Sequence, residues 1–376
     1  MLSPFSHPLY VMAKPVGSAC NLNCRYCYYI EKHTGGGVMS DAVLEAFIRQ
    51  YMEAQSGQDV LFTWHGGEPT LAGLPFYRRA MKLQKQYGQG MRISNSLQTN
   101  GTLLTDEWCR FLAQHDWLVG LSIDGPQPLH DEGRRTRSGA SSFDRVMRAV
   151  QMLNKYCVEW NAMATVNRVN VRYPLEFYRF FRDNLRCEYL QFTPVGEELD
   201  ADAWGEFLCA VYDEWVRSDV GRVFVQLFDA TLANWVGEAP GVCSMAKTCG
   251  HAAVIESNGD VYMCDHFVDE AHRLGNIMNG DTLTSLLYSE RQRQFGLNKD
   301  SALPEQCQLC EWLFACHGEC PRLRTATTSD GETGLNCLCA GYRKFFAHVA
   351  PDMDFMASEL RAGRPPANIL LRNACK

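Results

Sequence analysis

Cys20-Asn21-Leu22-Asn23-Cys24-Arg25-Tyr26-Cys27 sets three thiols within eight residues, spaced CxxxCxxC. Four thiolates ordinarily close a [4Fe–4S] cluster. Three leave one iron without a protein ligand, and an open coordination position is where a metal centre does chemistry on a bound molecule. A zinc knuckle that takes its fourth ligand from elsewhere is the competing reading of this stretch alone.

Working outward, Tyr10–Lys14 has the pattern of a short strand, broken by Pro15, Gly17 and Ser18 before the thiols begin. Strand patterns follow at 59–65, 91–97, 118–123, 159–166 and 188–193. Helical spacing fills 41–55, 74–87, 106–114, 142–156 and 174–184 between and after them. Such alternation calls for a parallel sheet with right-handed crossovers. Six units are too few for a closed eight-unit barrel, so the expected fold is α/β, a partial (β/α)6 TIM-like barrel. In parallel α/β folds the chemistry gathers at the carboxyl ends of the strands. The cysteine loop stands at the first such end, followed by Gly66-Gly67-Glu68-Pro69, Gln98-Thr99-Asn100-Gly101 and Ser122-Ile123-Asp124-Gly125-Pro126. One of these alone is a tight turn; four at successive strand ends make a site.

A helix over 202–217 and a possible strand over 222–228 come next. Beyond Trp235 the alternation stops, which divides the chain into an expected barrel domain, 1–235, and a loop-rich, cysteine-rich domain, 236–376. Residues 253–263 read as a hairpin with a glycine in its turn. Cys307-x2-Cys310-x5-Cys316-x3-Cys320 packs four thiols closely, Cys243-x5-Cys249-x14-Cys264 adds three, and Cys337-x-Cys339 adds one or two. Eight ligands are enough for two four-thiolate sites, and closed sites of that kind suit zinc as well as iron. Cys109, Cys157, Cys187, Cys209 and Cys375 stand apart and read as small buried or incidental thiols.

Composition narrows the setting. The chain has 376 residues, 46% of them apolar, and a net charge of −7, so it carries no basic footprint for nucleic acid. Met1 to Tyr10 lacks a cationic segment followed by an apolar one, which argues against a secretory leader. No apolar run approaches the ~18 residues that a membrane helix needs. The expected location is the cytoplasm. Disulfides are rare there, so 17 cysteines point to metal binding or catalysis.

Taken together, CxxxCxxC with Tyr26 before the last thiol, followed by Gly66-Gly67-Glu68-Pro69, resembles the radical S-adenosylmethionine (radical SAM) enzymes. The later cysteines resemble a SPASM-type domain with auxiliary [4Fe–4S] clusters. More narrowly, 66–73, 95–102, 120–126 and 273–277 are similar to the anaerobic sulfatase-maturating enzymes. The resemblance implies three [4Fe–4S] clusters and S-adenosyl-L-methionine as cofactors. Cys20, Cys24 and Cys27 would hold the catalytic cluster. One auxiliary cluster would take Cys243, Cys249, Cys264 and Cys320, the other Cys307, Cys310, Cys316 and Cys339. Cys339 rather than Cys337 matches the family context, although Cys337 departs from it. SAM contacts would fall on Tyr26, Gly66, Gly67, Glu68, Ser122, Arg134 and Val195.

The implied reaction is oxidation of a Cys or Ser in an unfolded sulfatase polypeptide, within Cys/Ser-x-Pro-x-Arg, to Cα-formylglycine. An external electron donor such as flavodoxin or ferredoxin would supply reducing equivalents. Asp265, beside Cys264, matches the family's catalytic base, with His266 as the next residue here. A carboxylate that only orients the cluster loop is the plainer alternative. His65 stands where relatives often have Gln, a candidate substrate contact. Two rivals remain at this stage: a related maturase that forms thioether or carbon–carbon crosslinks, and a zinc-binding interaction module.

Overall fold

The computed structural model describes residues 9–30 and 37–374, with side chains to 372. Residues 1–8, on which most of the leader argument rests, and Cys375 lie outside the described residues. The chain packs as two compact units, neither continuous in sequence. The first comprises 1–122, 134–160 and 250–297; the second comprises 123–133, 161–249 and 298–376.

In the first unit, β1 (Tyr10–Lys14), β2 (Asp59–Trp64), β3 (Arg92–Thr99) and β4 (Leu118–Ser122) are parallel neighbours in sequence order. Helices Asp41–Glu53, Gly73–Tyr87 and Asp106–Gln114 form the crossovers. Their starts are written locally: Ser40 Oγ accepts from the Val43 amide at 3.3 Å, and Thr105 Oγ1 accepts from the Trp108 amide at 3.3 Å. Phe47, Tyr51, Phe62, Trp64 and Tyr77, all buried, interlock edge-to-face or stacked between helices and sheet.

The second unit contains β5 (Trp160–Val166), β6 (Tyr189–Pro194) and β7 (Phe224–Val225), again parallel. Helix Ala201–Ser218, capped by Asp200, packs against the long helix Cys339–Arg361. There Gly205 and Gly341 are in backbone contact: a Cβ on Gly341 would lie 2.1 Å from the Ala201 carbonyl oxygen. The possible strand over 222–228 is only two residues long, and helix Gln226–Val236 begins at once. The buried residues Phe228, Thr231 and Trp235 repeat at helical spacing, which outweighs local strand propensity.

The α/β architecture with parallel strands is the one the alternation predicts. One pairing was not legible. The expected hairpin forms, β8 (Ala252–Glu256) against β9 (Asp260–Tyr262), extended by β10 (Arg273–Asn276). But β8 also lies parallel to β1, with Lys14 opposite Glu256. A segment more than two hundred residues downstream thus flanks the first strand, and the loop after β9 meets the end of β1.

Candidate active site

The cysteine loop leaves β1 through a turn at Gly17, whose φ is 56°. Its backbone is tied to the segment after Gly133: Leu22 bridges Thr136, the Asn23 amide donates to the Arg135 carbonyl at 2.9 Å, and Arg137 Nε donates to the Cys20 carbonyl at 2.9 Å. Cys20 Sγ accepts from the Leu22 amide at 3.4 Å and from Asn100 Nδ2 at 3.8 Å. Burial raises the Cys20 pKa, and the Glu68 charge adds to the rise. The three thiols remain partly accessible on a loop fixed by its own backbone, as an open-site cluster requires.

Gly66 and Gly67 earn their identity by packing. Gly66 has φ +119°, and a Cβ on Gly67 would fall 2.1 Å from the Ala19 carbonyl oxygen. The Gly67 and Glu68 amides donate to Gly17 and Ala19 carbonyls at 2.9 and 2.8 Å. The close approach that Gly67 permits is therefore to the cysteine loop itself. Glu68 is fully buried and accepts from the Thr70 amide (3.1 Å), Thr70 Oγ1 (2.5 Å), Thr99 Oγ1 (2.7 Å) and the Asn100 amide (2.8 Å). Burial raises its pKa against the lowering by these donors. Both carboxylate oxygens knot the end of β2 to the end of β3.

Ser122 Oγ accepts from Gln98 Nε2 at 3.0 Å, joining the ends of β3 and β4. Arg134 is buried, with its guanidinium 5.5 Å from the centre of the Tyr26 ring. The charged run 131–135 is thus not a solvated loop throughout. Val195, in the second unit, continues the β5–β6 pairing by donating to the Val166 carbonyl at 3.0 Å.

Asp265 follows β9 and is 18% exposed. Lys14, at the end of β1 and fully buried, forms an ion pair with its Oδ1. Tyr28 Oη donates to its Oδ2 at 2.5 Å. Burial alone would raise the Asp265 pKa, but Lys14 foremost, then His65 and His266, hold it well below the usual carboxylate range. The Lys14 ammonium also lies 3.4 Å from the centre of the Tyr29 ring, whose hydroxyl donates to the buried Glu256 at 2.5 Å. His65 Nδ1 accepts from the Gly66 amide at 2.7 Å. Sequence reasoning found Asp265 and His65 and missed Lys14, Tyr28, Tyr29 and Glu256. The available signal was a lysine closing an otherwise apolar strand directly before the cysteine loop.

Within the second unit, Cys307 and Cys339 each interact electrostatically with Cys310, and Cys316 does so with Cys339 and Cys307. The Cys339 pKa is pushed up to about 11, by burial and then by Cys307 and Cys310. Cys316 rises to about 12, by burial and then by Glu319, Cys339 and, further down, Cys307. Cys337 instead neighbours Thr325, Glu197 and Glu319. Among the described residues no three Cys, His, Asp or Glu side chains converge on one point as ligands of a single ion. A donor set of thiolates alone, such as Cys307, Cys310, Cys316 and Cys339, is one that iron–sulfur clusters use.

A strand-end CxxxCxxC loop locked to GGEP, on a parallel α/β scaffold with a cysteine-rich extension, defines a radical SAM enzyme. The family model described as the radical SAM superfamily matches residues 15–181, and that of the SPASM iron–sulfur cluster-binding domain matches 243–311. A serine-type anaerobic sulfatase-maturating enzyme of Bacteroides thetaiotaomicron is 52% identical over 98% of this chain and 96% of its own. A cysteine-type enzyme of Clostridium perfringens is 34% identical over 94% of this chain and 100% of its own. The solved structure of native anSMEcpe with bound AdoMet and Cp18Cys peptide superposes with a TM-score of 0.87 at 33% identity, covering 94% of this chain and 100% of that one. The chain belongs to the anaerobic sulfatase-maturating enzymes.

Proposed function

We propose that this enzyme oxidises a Ser or Cys side chain of an unfolded sulfatase segment to Cα-formylglycine, with Asp265 as the base. The observation that carries the reading is the Asp265 carboxylate, held ionised between Lys14 and Tyr28 in the same unit as Cys20, Cys24 and Cys27. The 52% identity to a serine-type enzyme favours a serine substrate. The barrel domain, 1–235, carries the radical chemistry in this reading, and 236–376 carries the auxiliary clusters.

Cys20, Cys24 and Cys27 would hold the catalytic cluster. Cys243, Cys249, Cys264 and Cys320 would hold one auxiliary cluster, and Cys307, Cys310, Cys316 and Cys339 the other, making three. When bound, the catalytic cluster and SAM supply a 5′-deoxyadenosyl radical that removes a hydrogen atom from the substrate Cβ. Tyr26, Gly66, Gly67, Glu68, Ser122, Arg134 and Val195 shape the SAM site. Asp265 would take the hydroxyl or thiol proton, and an auxiliary cluster held by these cysteines would supply the acceptor for the remaining electron. Hydrogen atom, proton and electron together make the two-electron oxidation that yields the aldehyde, directly from serine and through a hydrolysed thioaldehyde from cysteine. A carboxylate within hydrogen-bond reach of the reacting group suits that proton transfer. Flavodoxin or ferredoxin in the cytoplasm would supply the reducing electron. No described helix is long and apolar enough to cross a membrane.

The test is anaerobic incubation with SAM, a reductant and paired peptides carrying Ser-x-Pro-x-Arg or Cys-x-Pro-x-Arg, read by mass. Aldehyde on either peptide supports the reading. SAM cleavage with neither aldehyde, or a crosslinked product, rejects it in favour of another SPASM-type maturase. In Asp265→Asn, SAM cleavage persists and aldehyde is lost; full aldehyde formation there removes Asp265 from the role of base.

A further inference from the structure

The second unit encloses two cations whose donors all face backbone. Lys299 is 1% exposed, and its ammonium donates to the carbonyls of Cys243 (2.7 Å), Ser244 (2.6 Å) and Ala246. Arg324 donates from Nε to Gly318 (2.9 Å), from Nη1 to Lys299 (2.6 Å), and from Nη2 to His317 (3.0 Å) and Glu319 (3.3 Å), in each case to the carbonyl oxygen. His317, Gly318 and Glu319 have φ of 47°, 67° and 54°, three consecutive left-handed residues between Cys316 and Cys320. Two of the three carry side chains that disfavour this region. One guanidinium gathers all three of their carbonyls. It also links that loop, through the Lys299 carbonyl, to the residue that holds the Cys243 loop.

The same guanidinium interacts electrostatically with Cys307, Cys316, Cys249 and Cys320, thiols that the proposed function divides between the two auxiliary clusters. A thiolate-ligated cluster that accepts an electron gains negative charge, and net charge and hydrogen bonding around it set its potential. An arginine stays charged at every working pH.

We propose that Arg324 is a positioning residue that poises the auxiliary clusters to accept the substrate electron. It does so by holding the Cys316–Cys320 loop in its left-handed turn and by placing a fixed positive charge beside ligands of both clusters. The inference rests on the reading that these eight cysteines hold two clusters. Glu319, buried in the same loop, acts with opposite sign; its Oε2 accepts from the Cys320 amide and from Asn336 Nδ2.

The test is potentiometric titration of the anaerobically reconstituted full-length enzyme, followed by electron paramagnetic resonance. The catalytic cluster is recognised as the signal that SAM perturbs. Arg324→Gln lowers at least one auxiliary midpoint by about a tenfold change in its reduction equilibrium, about 59 mV for one electron. Arg324→Lys keeps the charge and shifts less. Glu319→Gln moves an auxiliary midpoint upward, and the catalytic midpoint stays put in all three. Unmoved auxiliary midpoints in an iron-replete Arg324→Gln overturn the proposal, as does an Arg324→Lys shift equal to that of Gln. Should Arg324→Gln fail to retain iron, the other two variants decide, and a Glu319→Gln midpoint that does not rise overturns the proposal. Failure of the underlying reading looks different: wild-type protein with far fewer than about twelve irons.

Discussion

Lys14, on the first strand, is the ion-pair partner of Asp265, which follows a hairpin strand more than two hundred residues later. Burial pushes the Asp265 pKa up, and Lys14 is the largest of the charges that bring it down below its ordinary value. A carboxylate with a depressed pKa stays ionised above that value and is lost as a base only as pH falls through it. Asp265 therefore imposes no fall in rate on the wild-type enzyme between about pH 5 and 8.

Lys14→Met removes the main opposing charge and leaves the burial. The Asp265 pKa then rises, so the acid limb of peptide oxidation moves to higher pH. Below the raised pKa, formylglycine formation falls about tenfold per pH unit, while 5′-deoxyadenosine is still produced. Leaving the carboxylate without its partner also costs about 3 kcal/mol of stability. Parallel pH–rate profiles for aldehyde and 5′-deoxyadenosine check this, and an acid limb in the same place for both proteins contradicts it.

Gly67→Ala tests whether GGEP works by packing on the cysteine loop. The new methyl meets the Ala19 carbonyl carbon and oxygen and the Ser18 carbonyl oxygen, all backbone, so neither side yields cheaply. Overpacking of this kind costs about 1–3 kcal/mol. The displaced segment, Ser18 and Ala19, leads directly into Cys20. Iron bound at the catalytic site should fall by about four per chain, with the auxiliary complement intact. Normal iron and normal SAM affinity in this variant would place the glycine's role elsewhere.

Much of this was legible from residues 20–27 outward, because strand–helix alternation and cap residues are local. Ser40, Thr105 and Asp200 each accept, from an amide three residues on, the hydrogen bond that a helix cap accepts. The β8–β1 pairing was not legible. Parallel pairing leaves no turn signature between its strands, and 239 to 251 contain no helical crossover to suggest it. Lys14 was hidden for the same reason, since its partner arrives on that distant hairpin. Glu68 was legible as part of GGEP, but not as a fully engaged acceptor, because its donors Thr99 and Asn100 belong to the next strand end.

Glu68→Ala separates that knot from direct cofactor contact. The substitution leaves the Thr70 and Asn100 amides and two hydroxyls without their acceptor in a buried site. Unsatisfied buried donors cost about 1–3 kcal/mol each, so a loss of about 3 kcal/mol or more is expected in urea unfolding. Glu68→Gln keeps one carbonyl acceptor and should fall between the two. If Glu68 acts only through the loops it ties, SAM affinity follows stability across Glu, Gln and Ala. Loss of SAM binding in a Gln variant of wild-type stability would instead make the carboxylate a direct ligand contact.

Cys337 and Cys339 offer the sharpest test of the ligand set, because they are two residues apart and chemically identical. The Cys339 thiol is raised by burial and next by Cys307 and Cys310, whereas the Cys337 thiol has Thr325, Glu197 and Glu319 as its partners. Cys337 contributes its backbone instead, donating to the Leu323 carbonyl at 2.8 Å. Cys339 opens the long helix against which Ala201–Ser218 packs, so its direction is fixed by a helix rather than by a free loop. Cys339→Ala should lose about four irons, and Cys337→Ala none. Alanine retains the Cys337 amide bond, so the two variants differ in the thiol alone. Equal iron loss in both would mean that the pair shares a cluster, and iron loss only in Cys337→Ala would transfer the ligand role to it.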